Sequence, residues 1–145
     1  MDPIREIAAK GVPILGICLG AQLLMSEGHE FGTFQGLGII EGTVEPFPKT
    51  LQNVKVPHIG WNALRETQSW KESILKSVPN EAMMYFNHSY YLKPTSNADV
   101  LAATMYGGFE YAVVLRRSNI YGAQFHPEKS ANHGLAILKN FVSIV

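Results

Sequence analysis

A single cysteine, Cys18, sits in the pentapeptide Gly16-Ile17-Cys18-Leu19-Gly20, between an apolar run (residues 12–17) and a helix-like segment (residues 20–25). A nucleophile in such a turn is projected out of the sheet, and small flanking residues let the chain bend sharply enough. Backbone N–H groups of the following helix would point at the sulfur and favour the thiolate. The N–H of Leu19 would face the oxyanion formed when Cys18 adds to a carbonyl. The same five residues also suit a small buried hydrophobe at a strand end, a common fate of free cysteine.

A nucleophilic thiol needs a base, and five histidines are available: 29, 58, 88, 126 and 133. His126 follows a strand-like run and precedes Pro127 and Glu128, so it can reach across the top of a sheet to a neighbouring strand's cysteine. Pro127 disfavours helix at His126. Glu128, two residues on in an extended segment, would point to the same side and orient the ring. Taken alone, His-Pro-Glu fits an ordinary surface turn. His88, in Tyr85-Phe86-Asn87-His88-Ser89-Tyr90-Tyr91, could be a rival base, a substrate contact or a satisfied core histidine, and its aromatic setting favours the last. His58 and His133 have weaker claims. No cofactor is implied and no metal either, since one cysteine and scattered histidines make no tetrahedral site.

Helices are expected over residues 3–10, with Asp2 as cap and Gly11 as stop, and over 20–25. The run 12–17 reads as a buried parallel strand. Residues 27–57, rich in Gly and Pro, read as loops with short β pieces at 37–40 and 53–56. A short helix is expected over 69–78. Strands are expected over 82–86, 100–105, 111–116 and 120–125, the last three as an antiparallel meander. A closing amphipathic helix spans 134–142, with Leu135, Leu138 and Val142 on one side. Helix, strand, sharp turn and helix at the start predict an α/β fold.

Length and composition fit a single domain over 1–145. The 12 basic and 12 acidic residues cancel and do not cluster, which speaks against nucleic acid and anionic membrane as partners. No apolar run approaches the roughly 20 residues needed to span a bilayer. The opening residues are charged and helix-like, unlike a signal peptide, and a lone cysteine fits a reducing cytoplasm.

Together, PILGICLGAQLL (13–24), GLGIIEG (36–42), KVPHIGWN (55–62), YFNHSYY (85–91) and YGAQFHPEKS (121–130) resemble class I (triad) glutamine amidotransferases. Among these, the pattern is most similar to the glutaminase subunit of imidazole glycerol phosphate synthase. The resemblance implies a flavodoxin-like three-layer fold on a mixed, mostly parallel sheet. It implies Cys18 as nucleophile, His126 as base then acid, and Glu128 as its orienting partner. Gly20, Gln22, Glu30, His88, Ser89 and Tyr90 would hold L-glutamine. Pro57, His58, Gly60, Trp61 and Asn62 would face a synthase that receives ammonia, in the resembled system a (β/α)8-barrel cyclase of histidine synthesis.

Two departures accompany the resemblance. Family members begin with a strand–helix unit and a glycine-rich loop that donates a second oxyanion N–H. Only 17 residues precede Cys18 in this sequence, so at roughly 30 residues per βα unit the resemblance leads one to expect about 60 fewer residues than in family members. The sheet is therefore expected to expose apolar strand edge, and the chain alone to release little glutamate. Secondly, the stretch 29–35 (HEFGTFQ) is similar to relatives that supply ammonia for sugar amination in surface-polysaccharide synthesis. A cysteine hydrolase such as a γ-glutamyl peptidase, and an inactive fragment or scaffold, are the readings from other classes.

Overall fold

The computed structural model describes residues 3–145; Asp2, the expected cap, lies outside the described residues. Helix α1 (Pro3–Ala9) ends where Gly11 takes a φ of 80°, a conformation glycine adopts cheaply. Strand β1 (Ile14–Ile17) and helix α2 (Leu19–Leu23) follow. Then come β2 (Glu27–Gly28), β3 (Phe34–Gln35), β4 (Gly42–Pro46), β5 (His58–Ala63), β6 (Arg65–Glu66), β7 (Met83–His88) and β8 (Tyr90–Pro94). Strands β9 (Val100–Tyr106), β10 (Phe109–Arg117) and β11 (Ile120–Ala123) lead into helix α3 (Ala131–Val142).

The larger sheet runs β1-β11-β10-β8-β4-β2-β3, with β9 on β10 and β6 on β9; β5 and β7 form a separate two-stranded sheet. The sheet is mixed, as expected, but it is not mostly parallel. Only β1–β11 and β2–β4 run parallel, and the other described pairings are antiparallel. The connections explain this. Gly107 and Gly108, both at positive φ, turn β9 into β10, and Ser118–Asn119 turns β10 into β11. Such short links permit only antiparallel neighbours. The expected meander is therefore present.

Strand β10 lies between two apolar clusters and feeds both. Tyr111 and Val113 pack with Trp70, Ile74, Phe86, Phe125 and Ile137 on one side. Ala112 and Leu115 pack with Leu24, Met25, Ile40, Val44 and Leu92 on the other. The alternation slips at Val114, where the β9–β10 register shifts. Strand β1 pairs with β11 alone among the described residues, and its Ile14, Leu15 and Ile17 are only half-buried. It is a sheet edge with apolar side chains, not the buried strand expected of residues 12–17.

Other local differences have packing causes. Residues 69–78 form turns instead of a helix: Trp70 is buried with its indole N–H donating to the Leu101 carbonyl at 2.7 Å, and Ser73 Oγ donates to the Trp70 carbonyl. Strands lie at β4 and β5, slightly later than the expected pieces at 37–40 and 53–56. Helix α3 buries Gly134 and Ile137, while Leu135 and Val142 of the expected apolar side stand exposed. A Cβ at Gly134 would overlap the Pro127 carbonyl, so this face is set by close backbone approach. Among the described residues, no helix is long and apolar enough to cross a membrane.

Candidate active site

Strands β1 and β11 run parallel with Ile17 opposite Ala123, so the residues after them emerge side by side at one end of the sheet. Cys18 donates its amide to the Ala123 carbonyl at 2.7 Å and then leaves the ladder with φ 49° and ψ −104°. That conformation is sterically costly for a residue with a Cβ. It turns the chain into α2 and presents the side chain at the strand end. Of the flanking glycines, only Gly16 is required by contact. A Cβ there would lie 2.6 Å from the Gly20 carbonyl carbon, whereas one at Gly20 would meet nothing within 4 Å.

The half-buried thiol donates to the Asn87 carbonyl at 3.9 Å and accepts from Gln124 Nε2 at 3.8 Å. Burial pushes its pKa above the ordinary value of 9.0 and outweighs the lowering by the Leu19 N–H and by the Gln124 amide. The nearby Glu128 charge also raises it, and Lys129 lowers it. The Leu19 N–H thus reaches the sulfur as expected, but the helix start alone does not produce a resting thiolate. A base is needed.

His126 is tied to Tyr85 by one direct backbone hydrogen bond and by two more that pass through the Ser130 hydroxyl. Its N–H donates to the Tyr85 carbonyl at 2.9 Å, its carbonyl accepts from Ser130 Oγ at 2.6 Å, and Ser130 Oγ accepts from the Tyr85 N–H at 2.9 Å. Its Nδ1 donates to Glu128 Oε1 at 2.7 Å. The pairing was expected, but the cause differs: Pro127–Lys129 is a 3-10 turn, not an extended segment. With Nδ1 committed, Nε2 is the nitrogen left for proton transfer. No hydrogen bond joins the thiol to the ring among the described residues; such bonds often close only once substrate is bound.

Gln22 and Glu30 line one cavity of ≈ 180 Å³ with Leu19, Leu23, Phe34 and Val44. Gly20, on the helix above it, and Ser89 are half-buried. Gln22 Nε2 donates to the Tyr90 carbonyl at 3.4 Å and to Gln124 Oε1 at 3.3 Å. His88 does not face this cavity through a free ring nitrogen. Its Nδ1–H donates to the Tyr90 carbonyl at 2.7 Å, and its Nε2 accepts from the Tyr111 hydroxyl at 3.2 Å. It is a satisfied core histidine, and burial holds its pKa down to about 4.

The expected docking residues divide in two. Pro57 and Trp61 are exposed, and Gly60 is half-buried. Trp61 meets the Tyr85 ring edge-on at 6.0 Å. Asn62 instead donates its amide to the Met105 carbonyl at 2.7 Å. His58 is 1% exposed, stacked between Phe86 and Tyr106, with its Nδ1–H on the Tyr111 hydroxyl at 2.8 Å. Strand alternation decides this: His58 faces inward, while Ile59 and Trp61 face out.

Sequence reasoning missed Asn87, Gln124, Ser130 and Tyr85. What singles out Gln124 and Ser130 is burial, which the structure and not the sequence reveals. Each is a polar residue, 0% and 1% exposed respectively, that must find partners inside. Among the described residues no group of three or more His, Cys, Asp or Glu side chains could hold a metal ion.

A thiol at a strained strand-to-helix turn after β1, and a carboxylate-held imidazole three residues past the end of its parallel neighbour β11, are similar in kind and order to the groups of a triad amidotransferase. The chain belongs to the family described as glutamine amidotransferase class-I, matched over residues 1–145. It is 43% identical over 150 residues to imidazole glycerol phosphate synthase subunit HisH 1 of Legionella pneumophila (strain Lens), covering 99% of this chain and 70% of that protein. It is 45% identical over 142 residues to imidazole glycerol phosphate synthase subunit HisH of Moorella thermoacetica (strain ATCC 39073 / JCM 9320), covering 98% and 65%. A glutamine amidotransferase structure from Thermotoga maritima shares the α/β fold, with a TM-score of 0.63 at 19% identity, over 97% of this chain and 51% of that one. The chain thus spans between about half and 70% of the length of these relatives.

Proposed function

We propose that this chain hydrolyses L-glutamine to glutamate and ammonia through a Cys18 thioester and passes the ammonia to a synthase subunit. What supports this is the β1–β11 pairing, from whose adjoining ends the Cys18 turn and the segment bearing the hydrogen-bonded His126–Glu128 pair both leave. His126 Nε2 takes the thiol proton, and the sulfur adds to the side-chain amide carbon of glutamine. The Leu19 N–H supports the oxyanion. His126 returns the proton to the departing nitrogen, releasing ammonia and leaving a γ-glutamyl thioester. Water, deprotonated by His126, cleaves that thioester to glutamate and restores the thiol. Gln22 and Glu30 line the cavity that would hold the substrate's α-amino acid end.

Ammonia released into bulk water becomes ammonium and loses its nucleophilic lone pair, so a sheltered route to an acceptor belongs to the function. The exposed apolar face of the β5–β7 ribbon (Ile59 58%, Trp61 50% and Met83 45% exposed, beside Tyr85) supports docking there. Asn87, whose carbonyl holds the thiol, pairs with Ile59 on this ribbon. Such a patch marks an interaction surface. The synthase we propose is the cyclase of imidazole glycerol phosphate synthase, a (β/α)8 barrel, in histidine biosynthesis.

Glutamate release is the test, measured with and without that cyclase and repeated for Cys18→Ala. Release that requires the cyclase and is abolished by Cys18→Ala is the expected result. Release that survives Cys18→Ala would sink the scheme. Stimulation only by a sugar-aminating synthase would move the acceptor to polysaccharide synthesis.

A further inference from the structure

This inference rests on Cys18 being the nucleophile and adds a residue to its chemistry. We infer that Gln124 is a catalytic residue that stabilises the Cys18 thiolate through its side-chain N–H, and that Gln22 dictates which end of the Gln124 carboxamide faces the sulfur.

Gln124 follows β11 directly and is 0% exposed, so its carboxamide must be satisfied internally. Its Nε2 lies 3.8 Å from Cys18 Sγ and its Oε1 lies 3.3 Å from Gln22 Nε2. The orientation is fixed by logic that starts at a backbone atom. The Tyr90 carbonyl can only accept, and it already accepts from His88 Nδ1–H at 2.7 Å. Gln22 lies 3.4 Å from the same oxygen and must turn its amide nitrogen toward it. That nitrogen also meets Gln124, which therefore presents its oxygen to Gln22 and keeps its N–H for the sulfur. Flipping Gln124 alone would set N–H against N–H and carbonyl against sulfur.

The arrangement discriminates between thiol and thiolate. As a thiol, Cys18 donates to the Asn87 carbonyl at 3.9 Å while accepting from Gln124. Once the proton leaves, the Asn87 contact turns repulsive, whereas the Gln124 bond becomes charge-assisted and strengthens. Gln124 thus acts where burial works against ionisation. The Gln124 amide is accordingly among the causes that lower the thiol's pKa.

The chain's single cysteine makes the test direct. The alkylation rate of the purified chain by iodoacetamide, followed against pH, reports the ionisation of Cys18 alone. Gln124→Leu is expected to move the midpoint upward and cut the rate at pH 7 by roughly three- to tenfold, the effect of losing a modest charge-assisted hydrogen bond. Gln22→Leu, at a half-buried position, frees the Gln124 amide to rotate and should give a smaller shift in the same direction. If Gln124→Leu does not fold, the Gln22→Leu profile decides. Lower stability with an unmoved midpoint would assign Gln124 a structural role only and overturn the inference. An unmoved midpoint with glutamate release still dependent on Cys18 would overturn it and leave the proposed function standing. A moved midpoint with release independent of Cys18 would overturn the proposed function and, with it, the catalytic role of Gln124, leaving only its effect on the thiol's ionisation.

Discussion

Tyr85 grips the segment that carries His126 with both of its backbone polar groups. Its carbonyl accepts the His126 N–H at 2.9 Å, and its own N–H donates to Ser130 Oγ at 2.9 Å. The imidazole is therefore registered against β7, the strand whose Asn87 carbonyl meets the Cys18 thiol.

That grip predicts the effect of Ser130→Ala. The Tyr85 N–H and the His126 carbonyl would each lose a partner in a buried setting, at a cost of about 1–3 kcal/mol. Urea unfolding should register the loss. Glutamate release, assayed with the synthase partner, should fall mainly in kcat, because substrate contacts remain while the base is displaced. A fall in KM alone would count against this role.

The two glycines flanking Cys18 should behave differently. Gly16→Ala drives a methyl group into the Gly20 backbone and should distort the turn, slowing alkylation of Cys18 and lowering stability. Gly20→Ala has open space and should leave both nearly unchanged, or raise stability slightly through helix propensity. Equal effects of the two substitutions would contradict the geometry.

His58, Tyr111 and His88 form a buried donor chain that ends at the Tyr90 carbonyl. Tyr111→Phe leaves His58 Nδ1–H and His88 Nε2 without partners and should destabilise by about 2–4 kcal/mol in chemical denaturation.

Burial holds His58 and His88 each down to about 4, with the neighbouring histidine charges (His88 on His58, His126 on His88) acting the same way. Between about pH 4 and their ordinary value of 6.5 the unfolded chain binds protons that the folded one refuses. Stability should be full above 6.5 and decline as pH falls toward 4. Thermal melts across that range should show it; a flat profile would not be compatible with two buried neutral imidazoles.

His29 points the other way. Its ring nitrogens meet Glu45 at 2.9 Å and Glu27 at 2.7 Å, and these bonds raise its pKa above 6.5. Glu45 is lowered below 4.5, chiefly by His29, with Thr43 and Lys93 adding to it. The clamp between β2 and β4 should be strongest between about pH 4.5 and 6.5. It should loosen as pH rises through the elevated His29 value, and also in acid as Glu45 protonates. Amide exchange at Gly28 and Val44, which pair across these strands, gives the measurement.

Much of this site was legible because local chemistry and ladder register agree. The Cys18 turn, the His126–Glu128 pair and the β9–β10–β11 meander all follow from short-range patterns. What escaped depends on distant partners. Trp70 suppresses a helix at 69–78 through a bond to Leu101. The inward turn of His58 follows from β5 pairing with β7, with His58 opposite His88. The role of Gln124 emerges only when β11, α2 and β8 are brought together. Mostly parallel direction was implied by the resemblance, whereas only β1–β11 and β2–β4 run parallel and β8 is flanked antiparallel by both β4 and β10.

The φ of 49° at Cys18 has a consequence for how this protein is maintained. Glycine there would relax the backbone, so the most stable version of this turn is one without the thiol. Selection for stability and selection for chemistry therefore pull in opposite directions at one codon. A lineage released from the need for ammonia should drift first at this position.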